Sequence, residues 1–266
     1  MILPLPVRLA LGGLTAGALA VGGVAAPASA TDSTVAGYIT PSTTAVSVPA
    51  YSSAPITVSS NIYDPSYGGY LDTVIVANGA SYVRSYDVDL GTTGTGTVDL
   101  IQSISYAAFD YGDVPAGSYQ VYFQSDGDYH YQNDYADKVT VTGAQSAVVT
   151  VTVTKLHTTI SGWKTTSKSA KYGHYIKLAS PTLKNAGLGA KVVLQYRKKG
   201  SKTWRTSEST TLSTVGSATS YKLKLSKFNT IKHKVAKRGT YYLRLIVKGN
   251  DYISGAHTKE VKVTWK

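Results

Sequence analysis

The sequence predicts an all-β protein with two tandem antiparallel β-sandwich domains behind a signal peptide. Thr, Val, Ser and Tyr are abundant, and these residues favour strands and turns. Apolar and polar residues alternate in stretches such as 221–225 and 148–153, which places one face on a core and the other in water. After the first thirty residues, no long stretch repeats at the helical period of 3.6 residues.

Residues 1–30 are predicted to be a secretion signal. One early cation, Arg8, precedes an apolar run that ends in Ala28-Ser29-Ala30, the small-x-small pattern of a signal peptidase site. A membrane anchor is the alternative, but Gly and Ala make the run only moderately hydrophobic. No second apolar run of spanning length follows. We therefore expect the mature chain to be secreted, extracellular or cell-wall-associated, and not transmembrane.

Charge divides the mature chain into an acidic, Tyr-rich domain, residues 31–154, and a basic domain, residues 155–266. The first has twelve Asp, no Glu and two cations, a balance of −10, whereas the second has twenty-four Lys and Arg against three carboxylates, a balance of +21. A sign reversal of this size indicates a domain boundary near residue 154. Cysteine is absent, which excludes disulfides, thiol catalysis and thiolate metal sites.

Alternation and turn residues predict the strands of each domain. In the acidic domain they are 35–40, 56–63, 73–77, 81–88, 97–105, 118–123, 138–142 and 147–154. In the basic domain they are 158–162, 172–178, 191–197, 203–207, 220–225, 240–247 and 258–264, with a hairpin turn at 198–201. Turn signals every ten to fifteen residues are typical of an antiparallel sandwich.

Two segments about 122 residues apart, 117–141 and 239–263, share one pattern. Each has a Gly, a hydroxyl residue and a Tyr, then an alternating strand, a Gly/Asp/Asn turn and a short Val-containing strand around 139–141 or 261–263. The Gly-x-Tyr is expected to form a tyrosine corner, whose hydroxyl returns to the backbone. Repetition of a whole unit predicts tandem domains, and the alternative is a chance similarity between two hairpins.

The stretches GAKVVLQYRKKGSKTWRTSEST and RGTYYLRLIVKGNDYISGAHTKEVKV carry a Val-x-Leu-Gln-Tyr-Arg-Lys-Lys-Gly-x-x-x-Trp motif and a later Gly-x-Tyr motif. On these motifs, residues 157–266 resemble the bacterial Ig-like domains of secreted actinobacterial proteins. The first half, with VPAGSYQVYFQ and SAVVTVTVT, weakly resembles an Ig-like or carboxypeptidase-regulatory-like β-domain. The resemblance implies modules that space, display or attach other parts and are rarely catalytic.

The motifs of catalysis are missing from the sequence. There is no Gly-x-Ser-x-Gly elbow, and none of the five His is paired at ligand spacing. The acidic domain has no Glu and no Asp in an apolar setting that would suit acid catalysis. The sequence therefore predicts a protein that is not an enzyme, with no catalytic residues, cofactor or metal.

A candidate ligand-binding loop lies in the acidic domain. It combines exposed rings with hydrogen-bonding neighbours, as sugar- and protein-binding loops do, and its candidate residues are Tyr129, Tyr131, Tyr135, Asp126 and Asp128. A second Tyr-rich turn spans 64–70. Ordinary strand tyrosines are the alternative interpretation. Asp-rich turns at 87–89, 110–113 and 126–128 leave calcium open, although Asp also favours turns by bonding backbone N–H groups.

Two cation clusters in the basic domain are candidate polyanion-binding sites. The first, at the hairpin tip, comprises Arg197, Lys198, Lys199, Lys202 and Arg205; the second, before strand 240–247, comprises Lys232, Lys234, Lys237 and Arg238. Such charge attracts teichoic-type wall polymers and anionic lipids. Nucleic acid is not expected in vivo because no stacking platform accompanies the cations. The alternative is that the lysines only maintain solubility and block edge pairing.

These observations together predict a secreted, non-catalytic structural or binding protein that associates with the cell envelope through its basic Ig-like domain. The alternative is a carbohydrate- or calcium-binding module on the N-terminal domain, with a glycan or protein ligand. Docking of the acidic domain on the basic one, within a chain or between chains, also stays open.

Overall fold

The computed structural model describes residues 32–132, 138–172, 174, 176–186, 189–212, 221–222, 230–231 and 237–266. Within these residues the chain forms twenty-four strands, one α-helix and one short 3-10 helix. The all-β prediction is thus confirmed at the level of secondary structure. The expected signal peptide, 1–30, lies outside the described residues. In the described part of the chain, no helix has the length and apolarity that a bilayer crossing needs.

The described residues of the first half contain eleven strands, the 3-10 helix Gly91–Thr93 and helix α1, Leu100–Ala108. The strands are β1 Ser33–Val35, β2 Ile39–Pro41, β3 Ala45–Pro49, β4 Pro55–Ser60, β5 Tyr70–Ala77, β6 Ala80–Asp89, β7 Thr95–Asp99, β8 Gly117–Gln124, β9 Tyr129–Gln132, β10 Lys138–Val141 and β11 Val149–Thr154.

The described residues of the second half contain thirteen strands. They are β12 Leu156–His157, β13 Thr159–Ser161, β14 Lys168–Ala170, β15 Ile176–Lys177, β16 Thr182–Lys184, β17 Lys191–Lys198, β18 Arg205–Thr211, β19 Tyr221–Lys222, β20 Thr230–Ile231, β21 Gly239–Val247, β22 Ile253–Ser254, β23 Ala256–His257 and β24 Val261–Trp265.

The largest sheet of each half has the same strand order. In the first half the order is β3-β11-β8-β5-β6, and in the second it is β14-β24-β21-β17-β18, with β23 also paired to β21. In both sheets the first strand runs parallel to its neighbour and the others are antiparallel. Tyr119 pairs with Val151 as Tyr241 pairs with Val263. The two halves therefore share one arrangement around their Gly-x-Tyr strands.

This register corrects one expectation about the repeated segments. The sequence pattern equated the short strand around 139–141 with 261–263. In the structure β10 instead pairs with β9 and β1 in a separate sheet. The counterpart of β24 is β11, because β11 pairs with the Tyr119 strand and buries Val149, Val151 and Val153 at every second position.

The strand predicted at 97–105 is wrong beyond Asp99. Strand β7 ends there and α1 begins at the next residue. The Asp99 side chain accepts hydrogen bonds from the N–H groups of Ile101 at 3.0 Å and Gln102 at 3.4 Å, which caps the helix. Leu100, Ser103 and Ile104 are buried at helical spacing, so the i, i+3, i+4 pattern faces the core.

Buried apolar residues form two clusters. One gathers buried residues from Ile39 to Val153, and the other gathers those from Ile176 to Trp265. Tyr51 and Tyr252, both partly buried, pack against both clusters, and their ring centroids are 5.7 Å apart. The alternation predicted for 240–247 is confirmed, because every second residue of β21 from Tyr241 onward is buried.

The connection between the halves is hydrogen-bonded. The Leu156 N–H donates to the Tyr252 carbonyl at 2.9 Å, and β12 continues in parallel with β22. A second backbone bond joins the Ala116 N–H to the Asp251 carbonyl at 2.9 Å. Residues that follow position 154 thus pair with the second half at once, without an extended linker.

Candidate functional site

A cleft of about 320 Å³ in the second half brings the two predicted cation clusters together. Its lining residues come from the β17–β18 hairpin and from the segment that enters β21: Tyr196, Arg197, Lys198, Ser201, Thr203, Arg205, Lys237 and Tyr241. We call this cleft the basic groove. Strands β17 and β21 are neighbours in the sheet, which places Lys237 beside the hairpin although about forty residues separate them in sequence.

A tight turn shapes the hairpin tip at the edge of the basic groove. Gly200 has a φ of +85°, the left-handed region that favours glycine, and the Ser201 N–H donates to the Lys198 carbonyl at 3.0 Å. The Lys199 N–H donates to the Thr240 carbonyl at 2.9 Å, which fixes the tip to β21. The turn predicted at 198–201 is confirmed.

Arg197 is held by the protein itself. Its guanidinium binds the Glu260 carboxylate at 2.9 and 3.2 Å and donates to the Ser201 carbonyl at 3.1 Å. The guanidinium carbon also lies 5.1 Å from the Trp204 ring centroid and 4.8 Å from that of Tyr242. Because Glu260 offsets its charge, Arg197 supports the wall of the groove more than it attracts an anion.

Three other groove cations are available to a ligand. Lys198, Arg205 and Lys237 are exposed, and none of them forms an ion pair with a described residue. Behind them Tyr241 is buried, with its ring 6.4 Å from Tyr196 and edge-on to Trp265. The arrangement presents clustered positive charge over a fixed aromatic floor.

The other described cations of the two clusters are not among the lining residues of the basic groove. Lys199 and Lys202 are exposed on the hairpin turn, and Arg238 lies 5.6 Å from the Tyr172 ring centroid. Lys232 and Lys234 lie outside the described residues.

A second cleft, of about 270 Å³, lies in the acidic half. It is lined by Ile62, Tyr67, Gly68, Gly69, Tyr70, Tyr86, Ser125, Asp126, Gly127, Asp128 and Tyr129, and we call it the tyrosine cleft. The structure thereby joins the predicted Asp126, Asp128 and Tyr129 to the Tyr-rich turn at 64–70. Tyr86 was not among the predicted site residues.

Two of the predicted tyrosines have structural roles. The segment predicted as a loop forms strand β9, in which Tyr129 and Tyr131 pack against the first hydrophobic cluster. The Tyr129 hydroxyl donates to the Gly68 carbonyl at 3.0 Å, and burial raises the pKa of this phenol. Tyr131 does not line the cleft, and Tyr135 lies outside the described residues.

The rings that a ligand can reach belong to Tyr67, Tyr70 and Tyr86, whose residues are 89%, 53% and 69% exposed. The Tyr70 and Tyr86 centroids are 6.0 Å apart and their planes are nearly perpendicular, at 85°. These two residues thus form an exposed edge-to-face pair at the mouth of the cleft.

A strand irregularity orients Tyr86. Leu71 pairs with Val88 but Thr73 pairs with Arg84, so residues 85–87 of β6 face Asp72 alone. Tyr86 adopts a φ of +54°, unusual for a residue with a side chain, and its N–H donates to the buried Asp72 carboxylate at 3.0 Å. The bulge therefore turns the Tyr86 ring towards Tyr70 at a conformational cost of about 1 kcal/mol.

The Asp side chains mostly satisfy the turns in which they lie. Asp64, Asp89 and Asp128 accept backbone N–H bonds from nearby or cross-strand residues, and Asp87 pairs with Arg84 at 2.9 Å. Within the described residues, no three His, Asp or Glu side chains are grouped as a metal site would require. These contacts favour the turn interpretation of the Asp-rich segments.

A third cleft, of about 410 Å³, lies in the first half, between Tyr51, Asp99, Gln102, Tyr111 and Asp113. The Tyr51 hydroxyl is shielded from water and has no hydrogen-bond partner among the described residues. Burial, the nearby Asp113 charge and Tyr252 raise the pKa of Tyr51 to about 12. In the same cleft, one oxygen of the Asp99 carboxylate accepts the N–H groups of Ile101 and Gln102 at the helix cap.

Comparison with known proteins adds no assignment to this geometry. Neither a protein-family model nor a curated protein matches the chain. The basic groove and the tyrosine cleft are therefore the candidate binding sites of the described residues.

Proposed function

We propose that the protein is a secreted, non-catalytic binding protein that associates with anionic polymers of the cell envelope through the basic groove. The observation that carries this proposal is the convergence of Lys198, Arg205 and Lys237 on one cleft. The half that contains them has a charge balance of +21. A repeating phosphate polymer, such as a teichoic-type wall polymer, would occupy the groove and displace its counterions.

We also propose that the two halves are tandem Ig-like sandwiches, residues 31–154 and 155–266, the second of the bacterial Ig-like type. The identical strand order of the two large sheets supports this, as do the two separate clusters of buried residues. A hydrogen bond of 2.8 Å from the Tyr119 hydroxyl to the Pro115 carbonyl adds the tyrosine corner typical of such domains.

The competing explanation is that the lysines only keep a secreted sandwich soluble. Lysines with that role are scattered over the surface, as the exposed Lys184 at the end of β16 and the exposed Lys248 just after β21 are. Lys198, Arg205 and Lys237 instead share one cleft with an aromatic floor. This clustering concentrates the positive potential where a chain of phosphates can reach several cations together.

The test is sedimentation of the full mature chain with purified cell walls over a series of NaCl concentrations. The double variant Lys198→Glu with Lys237→Glu should bind at least about tenfold more weakly, because two contacts become repulsive. The control, Lys184→Glu with Lys248→Glu, changes net charge equally outside the groove and should lose less than about threefold. Equal losses in the two variants, or binding that ignores salt, would refute the groove as the binding site.

The second candidate function is carbohydrate binding by the acidic half. The open rings of Tyr67, Tyr70 and Tyr86 favour it, because flat aromatic faces stack on the apolar faces of sugar rings. For the calcium part of this alternative, the described residues provide no comparable observation.

A further inference from the structure

We propose that the tyrosine cleft selects a sugar that carries a free ammonium group. This inference rests on the second candidate function, carbohydrate binding by the acidic half, and adds the charge of the ligand. Its basis is the combination of an edge-to-face tyrosine pair with unneutralised carboxylates around one cleft.

The aromatic part of the cleft suits both a ring and a cation. Tyr70 and Tyr86 stand nearly perpendicular, edge to face, with centroids 6.0 Å apart, so a group beside them can contact both rings. Ring faces attract ammonium groups within about 6 Å through the negative face of the π-system. The highly exposed Tyr67 provides a further platform at the same mouth.

The charged part of the cleft is negative. Asp126 is exposed and bonds to no described residue, while one Asp128 oxygen accepts the Gly143 N–H at 2.8 Å. The Asp64 charge also reaches the site, since it contributes to the raised pKa of Tyr129. Carboxylates at this density attract a cation and repel the phosphate polymers assigned to the basic groove.

The cations of the acidic half do not line the cleft. The acidic half contains two, Arg84 and Lys138. Arg84 pairs with Asp87 at 2.9 Å and stacks on Tyr106, and neither Arg84 nor Lys138 lines the cleft. A cationic ligand would therefore supply the charge that the carboxylates lack.

The site is also preorganised. The bulge and the buried Asp72 hold Tyr86 in place before any ligand arrives. At the cleft floor, a side chain on Gly69 would lie 2.7 Å from the Ile62 carbonyl oxygen, so only glycine allows this close approach. Preorganisation reduces the entropy lost on binding, which suits a shallow site for a small ligand.

The experiment is calorimetric titration of the full mature chain with two tetrasaccharides that differ in one group. One is β-1,4-linked glucosamine, which carries ammonium groups, and the other is its fully N-acetylated, neutral form. We expect the amine-bearing tetramer to bind at least about fivefold more tightly, since each cation–π or carboxylate contact contributes a modest increment.

Three variants locate the effect. Asp126→Asn should remove most of this preference, because the carboxylate that attracts the ammonium group is replaced by a neutral amide of the same shape. Tyr86→Asn removes the ring but retains a residue that tolerates positive φ, and should weaken the amine-bearing tetramer about three- to fivefold. The matched control is Tyr111→Asn, because Tyr111 is 66% exposed, also has positive φ at +63°, and lies outside the cleft.

The possible outcomes distinguish the ammonium preference from carbohydrate binding itself. Equal binding of both tetramers would overturn the ammonium preference and leave carbohydrate binding intact, whereas no binding of either would overturn both. If tetramethylammonium displaced the amine-bearing tetramer at equal concentration, the cleft would recognise a cation alone, and the claim that it binds a sugar would be overturned. Self-association in sedimentation velocity that Tyr86→Asn abolishes would instead assign the cleft to a second copy of the chain.

Discussion

The hydroxyl of Tyr119 donates a hydrogen bond of 2.8 Å to the carbonyl of Pro115, four residues earlier. The Tyr119 side chain is buried, and its ring packs edge-on against Phe109 with centroids 5.9 Å apart. The bond therefore fixes the segment that enters β8 to the core of the first half. The next residue matters as well, because the Ala116 N–H donates to the Asp251 carbonyl of the second half.

Tyr119→Phe should lower the free energy of unfolding by about 1 kcal/mol, because the partly buried Pro115 carbonyl loses its partner while the ring is kept. Urea denaturation followed by tyrosine fluorescence measures the change. Tyr122→Phe on the same strand is the control and should stay within about 0.5 kcal/mol of the native chain. An unchanged midpoint for Tyr119→Phe would show that water replaces the bond without cost.

Asp99→Ala should lower the unfolding free energy by about 1–2 kcal/mol, because this carboxylate caps α1 and also accepts the Ala54 N–H at 2.9 Å. Asp99→Asn retains a hydrogen-bond acceptor and should lower the unfolding free energy by only about 0.3 kcal/mol. Circular dichroism during thermal unfolding compares the two. Equal losses would indicate that the charge, and not the hydrogen-bond acceptor, stabilises the helix start.

Alkaline pH should destabilise the fold through Tyr51. Its pKa rises from 10.0 to about 12 on folding, so the folded state holds this proton more tightly than the unfolded state. The associated stability is fully present below about pH 10 and is lost as the pH rises towards 12. Tyr51→Phe should therefore lose less stability between pH 9 and 11.5 than the native chain, measured by urea midpoints.

The matched control for Tyr51 is Tyr38→Phe, on an exposed ring. Burial also raises the pKa of Tyr119 and Tyr252, so Tyr51→Phe should reduce the alkaline loss without removing it. If Tyr51→Phe and Tyr38→Phe followed identical pH profiles, the phenol at the junction would contribute nothing to alkaline unfolding.

Glu260→Gln should strengthen binding to cell walls about two- to threefold, because it frees the charge of Arg197 at the basic groove. The pair is partly exposed, so the unfolding free energy should change by less than about 1 kcal/mol. Wall sedimentation at fixed NaCl measures the effect, with Glu208→Gln as the variant of equal charge change. If Glu260→Gln bound cell walls more weakly than the native chain, the position in which Glu260 holds Arg197 would matter more for binding than the charge of Arg197.

Local alternation predicted much of the fold, because burial at every second position is a property of a strand and its sheet face. This is why the core faces of β11 and β21 were predictable. Helix α1 was missed since Ile and Ser in a short run also suit a strand, although the Asp99 cap and the i, i+4 pair Leu100 and Ile104 carried the helical signal.

The candidate sites were predictable only in part. The two cation clusters were visible as separate runs, but their shared groove depends on the pairing of β17 with β21. Tyr86 carries no local signal, because its orientation arises from the register of β6 on β5 and from Asp72 in the partner strand. Pairing registers between distant segments are not encoded in any short pattern.

The hydrogen bond that joins the halves at Ala116, together with the pairing of Leu156 to the second half directly after the boundary, has a consequence for avidity. A chain without a slack tether presents its basic groove and its tyrosine cleft at a nearly constant separation. Once one of them is engaged on a surface, the local concentration of the other is set by that spacing rather than by diffusion. If both sites bind polymers, such a molecule would cross-link two of them only where they lie at the matching distance, and its avidity would depend on the spacing of those polymers.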